Sequence, residues 1–446
     1  MSQTKKIGLF ACIGLVVANM MGSGIALLPA QLAAFGGISI VSWIITLIGA
    51  VCLAFVFAEL GAQDEIVGGP PAYAKEVSRV FGFQSGIIYY IANWVGNIAI
   101  GITGISYLSN YIPAFNNPLT GSIVLIAIIW VLTGVNLLGG KWVSKVATVG
   151  VALMLIPILV TAIGGWFLFS AETYKANWIV TSSGSSTGSS ILQGVLLCLW
   201  AFIGIESASV SGTNVDKPKR TIPLATMIGV MFAGFVYIAS SQVMLGMFPA
   251  DELVKSTAPF GMSMTKMIGS WASVYTSVAT TITCFTCLSA WMLLVGESAQ
   301  TSAELGDFPK LFKAEAKSGI PRKGLLVTSV FMSVVLLVFG LIRQGGDGMG
   351  EIFNDVVNVA VLMTMIPYVY SAMNLIRFGE ERAKGFLVIA AAVIATVFCF
   401  VAILGGGAIS IAGTFVVSLL FLVLFARKEG KEQRLQETTS GEDIKQ

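Results

Sequence analysis

Two stretches of the sequence put helix-breaking residues inside otherwise apolar segments. Asn19-Met20-Met21-Gly22-Ser23-Gly24 interrupts the run from Ile7 to about residue 30, and Trp200-Ala201-Phe202-Ile203-Gly204-Ile205-Glu206-Ser207-Ala208-Ser209 interrupts the run near 191–212. Glycine inside a helix costs about 1 kcal/mol relative to alanine, and an unwound turn leaves amide and carbonyl groups without helical partners. At membrane depth such groups are tolerated only beside protein or a water-filled cavity. There they become ligands for something polar. Glu206 is the one acid near the middle of its apolar run, where a charge costs on the order of 2.5 to 3.5 kcal/mol on insertion scales. Such residues usually line a pathway; the competing reading is a structural acid, protonated or paired with a polar neighbour.

Aromatic and amide side chains supply the complement to a cation. Trp200 adjoins the second break, while Tyr89, Tyr90, Trp94, Tyr237, Trp291 and Tyr368 lie in other apolar runs. An aromatic face over a desolvated cation contributes about 0.5 to 2 kcal/mol, although each membrane aromatic taken alone is more often a packing or interface residue. Asn93 and Asn97 are one helical turn apart and share a face. An interhelical hydrogen bond and a ligand contact explain them equally well.

Other chemistries find little support. The six cysteines all fall in apolar stretches, as expected of free packing thiols. Cys284-x-x-Cys287 has a redox spacing but lies in a helical run with no βαβ context. The chain has no histidine, so a proton-linked step has to use a carboxylate, a tyrosine or the ligand itself. Gly139-Gly140-Lys141-Trp142 misses the spacing and hydroxyl of a phosphate-binding loop. No enzyme nucleophile or metal cluster stands out; neither a cofactor nor a nucleic-acid partner is expected.

The elements that must position these residues are membrane helices. Of 446 residues 56% are hydrophobic and 11% charged, against about a quarter charged in a soluble domain. Apolar runs of about 20 residues, the length that crosses a bilayer, recur throughout. Twelve spans are expected, near 7–30, 38–60, 83–112, 121–140, 146–170, 191–212, 223–248, 271–302, 324–343, 352–376, 385–404 and 408–426. With the N-terminus on the cytoplasmic side, all but four of the 26 Lys and Arg residues fall in inward segments; Lys175, Lys255, Lys266 and Arg343 stay outside. That asymmetry obeys the positive-inside rule. The whole of 1–426 reads as one polytopic domain, with residues 427–446 a charged, disordered cytoplasmic tail. The inward connections at 60–82 and 303–323 are long enough for short amphipathic helices, and Thr181 to Ser190 reads as a flexible link.

If spans one to five (about 7–170) and six to ten (about 191–376) are two repeats, the breaks occupy corresponding positions, which marks a transporter site. Close helix packing through small residues explains the first break alone. It does not explain the pair.

At these residues the chain resembles the basic amino acid/polyamine antiporters of the amino acid, polyamine and organocation transporter superfamily. The resemblance covers nearly the whole length and rests on Asn19-Met-Met-Gly-Ser-Gly-Ile25, Gly68-Gly69-Pro70 with Tyr73, Trp94-Val-Gly-Asn97, Trp200 to Ala208, Lys217-Pro-Lys-Arg220 and Phe308-Pro309. It implies an all-α integral membrane fold: a LeuT-like five-plus-five inverted repeat with helices 1 and 6 broken, two further helices at about 385–426, and a homodimer. It also implies exchange of external lysine for internal cadaverine in support of acid resistance alongside a lysine decarboxylase. Arginine/agmatine exchange, putrescine/ornithine exchange and proton-coupled uptake are the alternatives.

By the same carry-over, amides at Ser23, Gly24 and Ile25 meet the substrate carboxylate, and carbonyls of Trp200, Ala201 and Ile203 meet its α-amino group. Trp291 stacks on the aliphatic stem, Trp200 closes the site from outside, and Asn93 with Asn97 meets the distal ammonium. Glu206, Tyr73, Tyr89, Tyr90, Tyr237 and Tyr368 are the expected gating or proton-linked residues. Two departures from the relatives are Ala360, where some have a hydroxyl, and the acids Glu304 and Asp307 flanking Leu305 and Gly306.

Overall fold

A stretch of Val, Ile, Leu and Phe in lipid has no water to satisfy its backbone, so it closes every amide on its own carbonyls as a helix. The computed structural model describes residues 8–21, 24–62, 69–138, 143–179, 186–210, 215–304, 306–313, 322–346, 348–379 and 385–443. Its helices are α1 (Leu9–Met21), α2 (Leu28–Ala33), α3 (Ser39–Gly61), α4 (Pro70–Val77), α5 (Arg79–Ser109), α6 (Pro118–Leu137), α7 (Val143–Gly164), α8 (Ala171–Ala176), α9 (Thr187–Trp200) and α10 (Ser207–Val210). There follow α11 (Pro218–Met247), α12 (Ala250–Val254), α13 (Pro259–Met267), α14 (Ser270–Glu304), α15 (Arg322–Ile342), α16 (Met349–Gly379), α17 (Gly385–Leu404) and α18 (Ala408–Asp443). Among the described residues, 10 helices are long and apolar enough to cross a membrane. The expected first and sixth spans are instead the two broken pairs, α1 with α2 and α9 with α10.

Polar residues face inward and apolar ones outward, the reverse of a soluble bundle. In α6, Ser122, Thr133 and Asn136 are buried while Val131 is 66% exposed. Asn136 donates from Nδ2 to the Ser289 carbonyl (2.9 Å), and the Ser289 hydroxyl returns a bond to Asn136 Oδ1 (3.1 Å), tying α6 to α14. Small and hydroxylated residues let membrane helices approach and bond in this way. Asn117 caps α6, its Oδ1 accepting from Leu119 N and Thr120 N at 3.1 Å each, and Pro118 fills a first-turn position that needs no amide partner.

Two expectations change. The tail does not become irregular after 426: α18 continues to Asp443, because Lys, Glu, Gln and Arg are good helix formers and extending an existing helix carries no nucleation cost. The connection at 303–323 holds a short 3-10 turn, Lys310–Phe312, in its described part, whereas the 60–82 connection does contain a helix, α4. Residues 181–185 of the Ser/Gly-rich link fall outside the described residues; its second half is not a loose link, for Ser186 caps α9 and Thr187 to Ser190 form its first turn.

Candidate functional site

The two breaks face each other. An added β-carbon at Gly24 would lie 3.0 Å from Ala201 Cα and 2.8 Å from the Met20 carbonyl oxygen. One at Gly204 would lie 3.4 Å from the backbone and Cβ of Asn19. Each break therefore packs its glycine on the backbone of the other, and Gly204 also needs its positive φ of 105°. The turns are pinned from neighbouring helices: Tyr107 donates to the Ala26 carbonyl (2.9 Å) and Tyr237 to the Ala201 carbonyl (3.1 Å).

A cavity of about 40 Å³ lies at the junction. Asn19, Met20 and Gly24 supply the first wall, and Trp200 and Ile203 the second. α5 contributes Ala92, Asn93, Gly96, Asn97 and Ile100; Trp291 of α14 and Thr364 of α16 complete the lining. The α5 residues follow the helical i, i+3, i+4 rhythm that puts them on one face. Asn93 Nδ2 is committed to the Tyr89 carbonyl (2.7 Å), whereas the buried Asn97 Nδ2 has no hydrogen-bond partner among the described residues.

Packed layers flank the cavity on two sides. On one, the Trp200 ring covers Gly96, its Cη2 and Cζ3 3.3 Å from where a β-carbon would be, and Phe353 meets the indole edge-on at 6.4 Å. On the other, Glu206, 1% exposed, accepts from Tyr89 at Oε1 (2.7 Å) and from Tyr368 at Oε2 (2.6 Å), with Gly204 N also on Oε2 (3.2 Å). Along α16, Phe353 and Tyr368 are separated by roughly 22 Å at the helical rise. The cavity and Thr364 lie between them.

Of the residues singled out from sequence, Gly24, Asn93, Asn97, Trp200, Ile203 and Trp291 line the cavity together. Ile25 and Ala201 belong to the breaks and are fully buried. Ser23 lies outside the described residues. Tyr89 and Tyr368 join Glu206, and Tyr237 holds the second break. Tyr90 is elsewhere, bonded to Thr328 Oγ1 (2.7 Å) and facing Phe308 and Phe312. Tyr73 is buried against Phe57 at a ring separation of 6.4 Å. It lies in α4, outside the spans, and burial pushes its phenol up to about 12.

Away from the cavity, Asp355 takes a bidentate bond from Arg343 (Nε 2.9 Å, Nη2 3.0 Å), both side chains partly exposed. Sequence reasoning left out Asn19, Met20, Ala92, Gly96, Ile100 and Thr364 as lining residues; Asn19, Met20 and Gly96 stand inside motifs already quoted, Ala92 and Ile100 share the α5 face of Asn93 and Asn97, but nothing local marks Thr364. A larger groove of about 660 Å³ near Asn110, Glu252, Lys255 and Lys266 is open. Its Lys266 ammonium lies over the Phe248 ring at 4.7 Å.

Two facing helix breaks around a polar cavity, inside a bundle of membrane helices, define a multi-pass membrane transporter. The chain belongs to the amino acid permease family, whose sequence pattern matches residues 7–426. It is 49% identical over 433 residues, 97% of each chain, to the cadaverine/lysine antiporter of Escherichia coli strain K12. It is 32% identical to the putrescine transporter PotE of the same strain (84% of this chain, 85% of the relative) and 30% identical to that of Haemophilus influenzae (83% and 84%).

Proposed function

We propose that this chain is an antiporter of the cytoplasmic membrane that takes up lysine and releases cadaverine by alternating access. The observation that carries the reading is the likeness to the cadaverine/lysine antiporter across 97% of both chains; the putrescine transporters are less similar, at 32% and 30%. In this reading α1–α2 and α9–α10 are the first and sixth of twelve spans. The first ten form the five-plus-five inverted repeat, α17 and α18 are the two additions, and the chain works as a homodimer. The bias of Lys and Arg puts both termini in the cytoplasm.

Amide groups at the start of a half-helix favour an anion and carbonyls at the end of one favour a cation. Amides of Ser23, Gly24 and Ile25 thus take the lysine carboxylate, and carbonyls of Trp200, Ala201 and Ile203 the α-amino group. Ala201 uses its second lone pair, since Tyr237 occupies the first. Trp291 covers the stem, while Asn93 and Asn97 meet the distal ammonium. Cadaverine lacks the carboxylate and is held by its two ammonium groups and stem. A cavity of about 40 Å³ is far below the roughly 300 Å³ of a small-molecule pocket, so the layers at Trp200 and at Glu206 open in turn to admit either substrate.

Lysine enters with one net positive charge and cadaverine leaves with two, so each cycle exports one charge. Beside an intracellular lysine decarboxylase this exchange removes protons and supports acid resistance. Glu206 is the gating residue of this reading, holding the inner layer together through Tyr89 and Tyr368. In proteoliposomes preloaded with labelled cadaverine, external lysine releases the label without any sodium or pH gradient. Release that requires either gradient would make the chain a symporter, and stronger competition by agmatine or putrescine than by lysine would change the substrate.

A further inference from the structure

The last helix reaches back from the far end of the chain to the first turns of α5. Just past its apolar length, Lys428 Nζ lies 2.7 Å from Asp307 Oδ1, with the two side chains 25% and 22% exposed, and 5.4 Å from the centre of the Phe83 ring. Phe425 packs on Phe83 at 5.3 Å and lies under the Arg79 guanidinium at 5.9 Å; Glu429 is 3.9 Å from Arg79. α18 therefore grips the first turns of α5 and the connection after α14 together.

That connection turns sharply at Gly306 (φ 81°), with Asp307 N and Phe308 N both donating to the Ser302 carbonyl. It then lays Phe308 and Phe312 edge-on against Tyr90 at 5.3 and 5.7 Å. The next residue, Tyr89, donates to Glu206. One rigid stretch of α5 thus carries the contacts to α18, to the α14 connection and to the layer that closes the cavity. α18 is largely exposed along its apolar length, but it also takes two bonds from Gln84 at Ser418 (carbonyl 3.2 Å, Oγ 2.6 Å) and rests Val417 and Phe421 on Ile88, Ala92 and Met363, so the contacts at Lys428 are the end of a longer seam with α5 and the ones that reach the α14 connection.

We propose that Lys428 and Asp307 are positioning residues that latch α18 to the α14–α15 connection and so hold Tyr89 on Glu206, the layer opening only when this latch releases. Removing one charge takes away the attraction across the pair, whereas exchanging the two charges keeps it, so single replacements weaken the latch more than the exchange does. The latch stands on contact geometry; only its transport readout rests on the exchange proposed above.

Two measurements test it on the full-length chain. The first uses Ala303→Cys, a fully buried position beside the turn, labelled by a membrane-impermeant maleimide in detergent. Adding Asp307→Asn or Lys428→Met is expected to speed labelling by about threefold or more, and combining Asp307→Lys with Lys428→Asp to slow it again. Rates unmoved by both single changes, or a charge exchange labelled as fast as the singles, overturn the proposal. The second omits the reporter and measures lysine uptake: the single variants raise KM by more than they change kcat, and the charge exchange restores it. Equal loss of kcat with KM unchanged overturns the latch. Absence of exchange by the unaltered chain counts against the transport reading alone, because the labelling is still decided.

Discussion

Glu206 receives two phenolic hydroxyls and one backbone amide on its two oxygens, and that set of donors fits a carboxylate better than any other side chain. Glutamine offers one oxygen and an amine that only donates, so one tyrosine loses its acceptor. Hydrogen bonds to charged groups contribute about 1.5 to 3 kcal/mol, and Glu206→Gln is expected to lower exchange by about tenfold or more across the pH profile. Full exchange in proteoliposomes would remove Glu206 from the mechanism. Tyr73 is the contrasting residue. With its phenol held up to about 12 it stays neutral throughout the working range, so Tyr73→Phe is expected to keep the shape of the profile between about pH 5 and 9. A profile displaced by that change would show Tyr73 to be a titrating group after all.

The elements that matter most are the broken ones, and their breakage was readable because glycine, serine and an acid are conspicuous inside apolar runs. The pairing of the breaks was readable from their positions along the chain, and the α5 face from the one-turn spacing of Asn93 and Asn97. Thr364 could not be read this way: the tenth span carries several small and polar residues, and only the packing of α16 against α5 decides which one meets the cavity. The course of α18 past residue 426 was hidden for a related reason, since a polar segment with nothing to bury is held helical here by the helix it extends. The breaks also yield a test. A side chain at Gly204 meets both a φ of 105° and the Asn19 backbone, a strain of order 1 to 3 kcal/mol. Gly204→Ala is accordingly expected to lower the melting temperature and transport together. Gly24→Ala, crowding the Met20 carbonyl at 2.8 Å, should do the same, and an unaltered melting temperature for both would mean that the breaks are loosely packed.

Across the whole molecule, the sorting of charge predicts sidedness. In intact cells an impermeant thiol reagent is expected to label Lys175→Cys and Lys255→Cys but to leave Arg377→Cys unmodified until the membrane is opened; the reverse pattern would invert the topology. The membrane class and the all-helical fold were legible from composition, because lipid permits few solutions for a backbone. Which helices touch was not, since in α6 and α14 contact is chosen by small residues and pairs such as Asn136 with Ser289 rather than by hydrophobicity. The cavity of about 40 Å³ has one more implication. A void of that size has room for a few water molecules and not for an amino acid, so this arrangement is that of the unloaded carrier, and every cycle has to expand the site before it can fill it.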